Sequence, residues 1–239
     1  MKMNLDATRD VLGAVEAVPD AAAVRSVPIG VRLDHWNSRW PEALPRPEVL
    51  DSGATSLSRV DLFKAGAALR ATESPTDAQV LDFYVRVCAW GTGTSAQSVS
   101  RVLRPLGEPD AVARMRASLQ VEDPVESYRA FNNTGLSKVR YLGPAFFTKL
   151  MSFFRPEPLE GEPAKALILD ARVAASLGAS RKAGWRTDDY REYLAAVEEL
   201  RVGPWKDVPA DVVEYVLFEA KGDEARARHI GPNGYVPPK

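Results

Sequence analysis

Arg140 to Ala174 read RYLGPAFFTKLMSFFRPEPLEGEPAKALILDARVA, and the fold is decided by how this run is parsed. Pro144 suits the first position of a helix, where its missing N–H is no loss. The helix that follows is apolar around most of its circumference, through Ala145, Phe146, Phe147, Leu150, Met151, Phe153 and Phe154. Only Thr148, Lys149, Ser152 and Arg155 interrupt it, and they share one narrow stripe. A helix of that kind is expected to be buried. A lysine on it must snorkel, pair with an acid or line a cavity, and burial favours the neutral amine that a nucleophile needs. A Pro/Gly/Glu connector leads to the apolar run Ala166 to Leu169. Asp170 ends that run and stands at the N-cap of a second short helix stopped by Gly178. Taken singly, a solvated lysine and a capping aspartate are ordinary. The reading pursued here is that the two meet in space, an amine beside a carboxylate.

Working outward, the pattern is helical on both sides. Upstream, Ser58-Arg-Val-Asp61 and Thr76-Asp-Ala-Gln79 are capping boxes, the second opening a helix through Val80, Leu81, Tyr84, Val87 and Cys88. Trp90-Gly-Thr-Gly-Thr94 ends that helix; its Thr92, Thr94, Ser95 and Gln97 could bond a base or phosphate, but a glycine stop followed by a cap is the favoured reading. Helices follow through Val99 to Leu103, over 108–119, and from Asp123-Pro124 to about Phe131. Downstream, Thr187 is expected to cap a helix through Tyr190, Tyr193, Val197 and Leu200, and Pro209-Ala-Asp211 to open another that stops at Gly222. Near the N-terminus a helix over Leu5 to Val18 precedes a proline-broken arm with Trp36 and Trp40 as anchors and room for a strand near Val27–Leu33. The fold class is therefore mainly α, with eight to ten short helices. The expected organisation is a helix and irregular arm over 1–57, a helical domain over 58–222, and an extended tail over 223–239.

The totals narrow the function classes. A chain of 239 residues with 45% hydrophobic and 26% charged residues has an ordinary globular balance. No run is long and apolar enough for a membrane span, and Met1 to Asp10 lacks a signal peptide's apolar core. One cysteine, Cys88, excludes an internal disulfide and fits a reducing compartment. His35 and His229 form no metal-ligand spacing, so neither a metal nor a cofactor is expected. A formal charge of −1 argues against a non-specific nucleic-acid coat but allows a local basic groove.

Lys149 lies six residues after Gly143, and Asp170 twenty-one residues further on. With Thr148-Lys149 behind a hairpin and Leu169-Asp170-Ala171-Arg172-Val173 beyond, the chain resembles the helix-hairpin-helix DNA glycosylase superfamily, in its 8-oxoguanine glycosylase branch. The resemblance covers about 58–222 and places the helix-hairpin-helix near 124–155. It departs from the family pattern at the hairpin, where Tyr141 to Phe147 keeps only Gly143 of the small turn residues, and at Arg172, where histidine is frequent.

The resemblance implies Lys149 as nucleophile and Asp170 as the acid beside the sugar. It implies DNA contacts from Lys138, Arg140, Leu142, Gly143 and Arg172, with Trp90, Phe146 and Phe147 as candidate walls for an everted base. Arg181, Lys182 and Arg186 are further cations to examine. The implied activity is base excision with strand-nicking lyase chemistry, on double-stranded DNA carrying a modified base such as oxidised guanine. A monomer is expected, in the cytoplasm and at the nucleoid when acting. Two other readings stay open at this stage. One is a non-catalytic helix-hairpin-helix module binding nucleic acid or protein, and the other a glycosidase acting on a small nucleoside.

Overall fold

The structure is a computed structural model and describes residues 1–132, 137–163 and 165–235. Positions 133–136, inside the expected 124–155 motif, and the last four residues of the expected tail lie outside the described residues. In chain order the elements are α1 (Leu5–Gly13), α2 (Ala21–Ser26), β1 (Ile29–Gly30), α3 (Leu33–Asn37), β2 (Ser56–Leu57), α4 (Arg59–Ala71), α5 (Asp77–Thr92) and α6 (Ala96–Leu103). There follow α7 (Ala111–Gln120), α8 (Pro124–Asn132), α9 (Pro144–Phe154), α10 (Ala171–Ser176), α11 (Thr187–Leu200), α12 (Ala210–Ala220), α13 (Glu224–Ala227), β3 (Ile230–Gly231) and β4 (Gly234–Tyr235). The protein is mainly α, as its sequence pattern predicts. None of these helices is long and apolar enough to cross a membrane. The thirteen helices among the described residues exceed the eight to ten expected, because α2, α3 and α13 are too short to show an apolar period.

The chain divides into two compact units, 28–156 and 1–27 with 157–239. In the first, α9 is the hub, packing against α4, α5, α7 and α8. Its buried face includes Phe147, Leu150, Met151 and Phe153, each at most 1% exposed. The rings of Phe63 and Trp90 meet Phe153 edge-on at 5.1 and 5.3 Å, and Phe131 stacks on Phe147 at 5.2 Å. The tightest approach is at Gly66 of α4, where a Cβ would fall 1.9 Å from the carbonyl oxygen of Phe153. The expected capping boxes form. Ser58 and Asp61 bond reciprocally at the start of α4, and Thr76 and Gln79 at the start of α5. Asp123 caps α8 through the amides of Val125 and Glu126 at 2.9 and 2.8 Å. The proline-broken arm contributes β1, which pairs antiparallel with β2 (Ile29 opposite Leu57), and Trp36, which is fully buried.

In the second unit α12 packs against α1, α2, α10, α11 and α13. Arg25 of α2, 6% exposed, donates from Nε and Nη2 to the carboxylate of the fully buried Asp211, at 2.8 and 2.7 Å. Three boundaries differ from expectation. α1 stops at Gly13 instead of reaching Val18. Thr187 is the first residue of α11 and Arg186 its cap, since the Asp189 carboxylate accepts the Arg186 amide at 2.7 Å. Residues 230–235 form a small hairpin in what reads as an extended tail.

Gly66→Ala is expected to lower unfolding stability by about 3 kcal/mol, at the severe end of overpacking, because the added methyl meets backbone that cannot rotate away. Gly107→Ala, which meets nothing within 4 Å, is expected to change it by less than about 0.5 kcal/mol. Urea unfolding of both variants checks the pair.

Candidate active site

The lysine half of the candidate site belongs to the 28–156 unit. Pro144 is the first residue of α9, as expected, and Gly143 precedes it in extended backbone at φ −86°. The left-handed residue of the hairpin is Tyr141, at φ 68°, and not Gly143, which reads as the turn glycine. Lys138, Arg140 and Gly143 are exposed, whereas Leu142 is buried. Lys149 is only 6% exposed. Its Nζ donates to the carbonyl of Ala145, one turn back, at 2.8 Å and lies 5.8 Å from the centre of the Phe146 ring. Its stem runs beneath Gly91 of α5. A Cβ there would stand 3.3 Å from Lys149 Cδ, 3.4 Å from Cε and 3.2 Å from Phe146 Cε1. Gly91 itself is exposed, and its missing side chain leaves room for the lysine stem beneath it.

The three aromatic candidates divide by environment. Phe147 is 1% exposed and enclosed by Tyr128 and Phe131, so it is core. Phe146 and Trp90 are half-buried. Trp90 carries the Arg59 guanidinium 5.4 Å from its ring centre, and its buried indole N–H has no hydrogen-bond partner among the described residues. The Trp90–Thr94 turn is the stop and cap that the sequence favours. Gly93 takes φ 56° and closes α5, and the Ser95 hydroxyl accepts from the Ser98 amide to open α6. Cys88 lies one turn before Thr92, fully buried, and burial pushes its thiol up to about 12 against the opposing pull of a Tyr84 hydrogen bond and the Lys149 charge. A hollow of about 530 Å³ elsewhere in this unit is lined by Arg46, Asp61, Lys64, Asp82 and Arg86, and no candidate residue faces it.

The aspartate half belongs to the other unit. Ala166 to Leu169 is buried and belongs to no helix or strand. Tyr190 of α11 grips it instead: its hydroxyl accepts from the Leu167 amide at 3.1 Å and donates to the Leu167 carbonyl at 3.0 Å. The Tyr193 hydroxyl donates to the Ile168 carbonyl at 2.9 Å. Asp170 then caps α10, its Oδ1 accepting from the amides of Arg172 and Val173 at 2.9 and 3.2 Å. Arg172 is exposed and holds its guanidinium 4.6 Å from the Phe218 ring centre. Lys221, at the end of α12, has its ammonium pushed below the usual lysine range by desolvation and by Arg172 and Arg226. Lys221 and Arg226 thus extend the cation group around Arg172, a grouping the sequence conceals because its members come from three elements. Arg181, Lys182 and Arg186 are exposed on the loop before α11.

Residues 22–218 match the model of the family described as "Putative 8-oxoguanine DNA glycosylase OGG-like protein". The chain belongs to this family. The OGG-like match begins at residue 22, so it takes in most of the N-terminal stretch that the resemblance over 58–222 leaves unassigned, and it contains Lys149 and Asp170. No curated protein and no solved structure matches the chain. Membership in the OGG-like family suggests a DNA glycosylase.

The state of Cys88 gives a direct check on the packing behind Lys149. With its titration near 12, the folded chain's thiol stays protonated at mildly alkaline pH. A thiol reagent is expected to leave the folded chain unmodified and to label it once guanidinium unfolds it. Fast labelling of the folded chain would show the α5–α9 packing to be open.

Proposed function

We propose that this protein excises a modified base from double-stranded DNA and then nicks the strand, with Lys149 as nucleophile and Asp170 as the carboxylate that supports the sugar. The observation that carries the proposal is the seating of Lys149. An almost fully buried lysine on an apolar helix is rare in a protein interior, and this one sits on the family's matched segment with a glycine opposite its stem.

The chemistry follows from the two groups. As the glycosidic bond breaks, positive charge develops on the sugar ring, and a fixed carboxylate stabilises it. Once it has given up its proton, the Lys149 amine gives its electron pair to C1′, and the C1′–N bond electrons leave with the base, which takes up a proton. Opening of the ring at O4′, with loss of the amine's protons, leaves an imine between Nζ and C1′. The imine acidifies the C2′ hydrogen. Its removal expels the 3′ phosphate and breaks the strand. The everted base needs apolar walls, and Phe146 and Trp90 are proposed for them. Oxidised guanine, which carries an extra carbonyl, is the substrate favoured by the family description.

Two sets of variants test this reading. Borohydride added to the protein with a lesion-bearing duplex is expected to trap a covalent adduct, and Lys149→Ala to abolish it. An adduct that persists in Lys149→Ala rejects the lysine. Asp170→Asn keeps a good helix cap, whereas Asp170→Ala loses about 1 kcal/mol of stability with the cap. Both are expected to slow single-turnover excision by about a hundredfold or more. If Asp170→Asn excises at the wild-type rate, the carboxylate is only a cap.

Gly91→Ala separates access from stability. Alanine gains about 1 kcal/mol of helix propensity over glycine, offsetting the crowding of Lys149 and Phe146. Unfolding stability is therefore expected to stay near wild type while adduct formation falls. Unchanged trapping in this variant would show that the opening at Gly91 is not used.

A further inference from the structure

Beside the hairpin, two arginines converge on one exposed tyrosine. Arg104, on the turn after α6, places its Cζ 3.6 Å from the centre of the Tyr141 ring, and Arg140 places its own at 4.8 Å. Tyr141 is 42% exposed and contributes little to the core. Its backbone sits at φ 68°, a conformation that costs a residue with a Cβ and that glycine adopts freely. Lys138 is exposed three residues earlier, its carbonyl held by Arg114 at 3.2 Å. Among the described residues no acid pairs with Arg104, Lys138 or Arg140.

We infer that Tyr141 holds Arg104 and Arg140 together as a clamp for the backbone phosphates of the DNA strand. A guanidinium lying over a ring uses its face for the contact, and its five N–H donors stay in the plane, available to an anion. Two like charges on one ring repel each other, and a phosphate between or beside them relieves the repulsion. The strained backbone at Tyr141 fits the same picture, since strain of this kind persists where a site requires it. The clamp adds Arg104 and Tyr141 to the hairpin cations Lys138 and Arg140. Arg104 arrives from 37 positions away in the chain, so it is set by the fold and not by the hairpin sequence. The inference rests on the glycosylase reading for the identity of the strand, while the geometry stands without it.

The test is binding of a duplex with a stable abasic analogue, followed by fluorescence anisotropy over a salt series. Arg104→Gln and Arg140→Gln are each expected to reduce the slope of log affinity against log salt by about 0.9, one phosphate contact. Tyr141→Phe keeps the ring and is expected to bind as wild type. Tyr141→Gly removes the ring and the backbone strain together, so it is expected to melt no lower than wild type while binding as weakly as the arginine variants. Wild-type affinity and slope in Arg104→Gln, or wild-type binding in Tyr141→Gly, overturns the clamp. Borohydride trapping of the wild-type chain on lesion duplexes separates the two claims. Binding with the expected slope changes but no adduct on any lesion leaves the clamp and removes the glycosylase, and a wild-type chain that binds no duplex removes both.

Discussion

The contact of Gly66 with the backbone at Phe153 is the constraint on which the 28–156 unit depends. It lets α4 lie against α9 with no side chain between them, and that closeness brings Phe63 into edge contact with Phe153. With α4 on one flank, α5 and α8 cover the rest of α9, and nearly every residue of the helix is withdrawn from water. A helix so enclosed has no solvent-facing stripe on which to leave its lysine. Lys149 therefore folds its ammonium back onto the Ala145 carbonyl and runs its stem beneath a glycine, Gly91. Position, burial and direction of the amine are all consequences of how α9 is gripped.

Local chemistry was well recorded in the sequence. Ser58, Thr76, Asp123 and Asp170 are caps because their side-chain oxygens reach amides two or three residues on, and such reach needs nothing from the rest of the chain. The apolar circumference of α9 likewise announced its burial. The helix over 5–18 was overdrawn, because Val15 and Val18 continue an apolar period past the point where Gly13 ends the helix. Glycine is the usual carrier of positive φ, yet in this hairpin the left-handed position falls on Tyr141 and not on Gly143. Nothing in a single sequence says that a tyrosine will be held there by arginines.

Long-range partnerships were the part the sequence withheld. Gly91 opposite Lys149, Arg104 over Tyr141, Arg25 with Asp211, and the group of Arg172, Lys221 and Arg226 each join residues distant in the chain. Phe147 shows the converse. An aromatic residue two positions from the lysine reads equally well as wall or core, and its burial against Tyr128 and Phe131 assigns it to the core. The net charge of −1 averaged away the local cations in the same manner.

The phenols of Tyr190 and Tyr193 have an effect beyond satisfying two peptide groups. By fastening Leu167 and Ile168 in a run that belongs to no helix or strand, they act as an index mark for the chain that follows. Two peptide steps separate that mark from Asp170, so the heading of the carboxylate is a matter of counting. Side chains in the interval can drift among apolar types with little effect, but the gain or loss of a single residue there would turn the acid to another quarter.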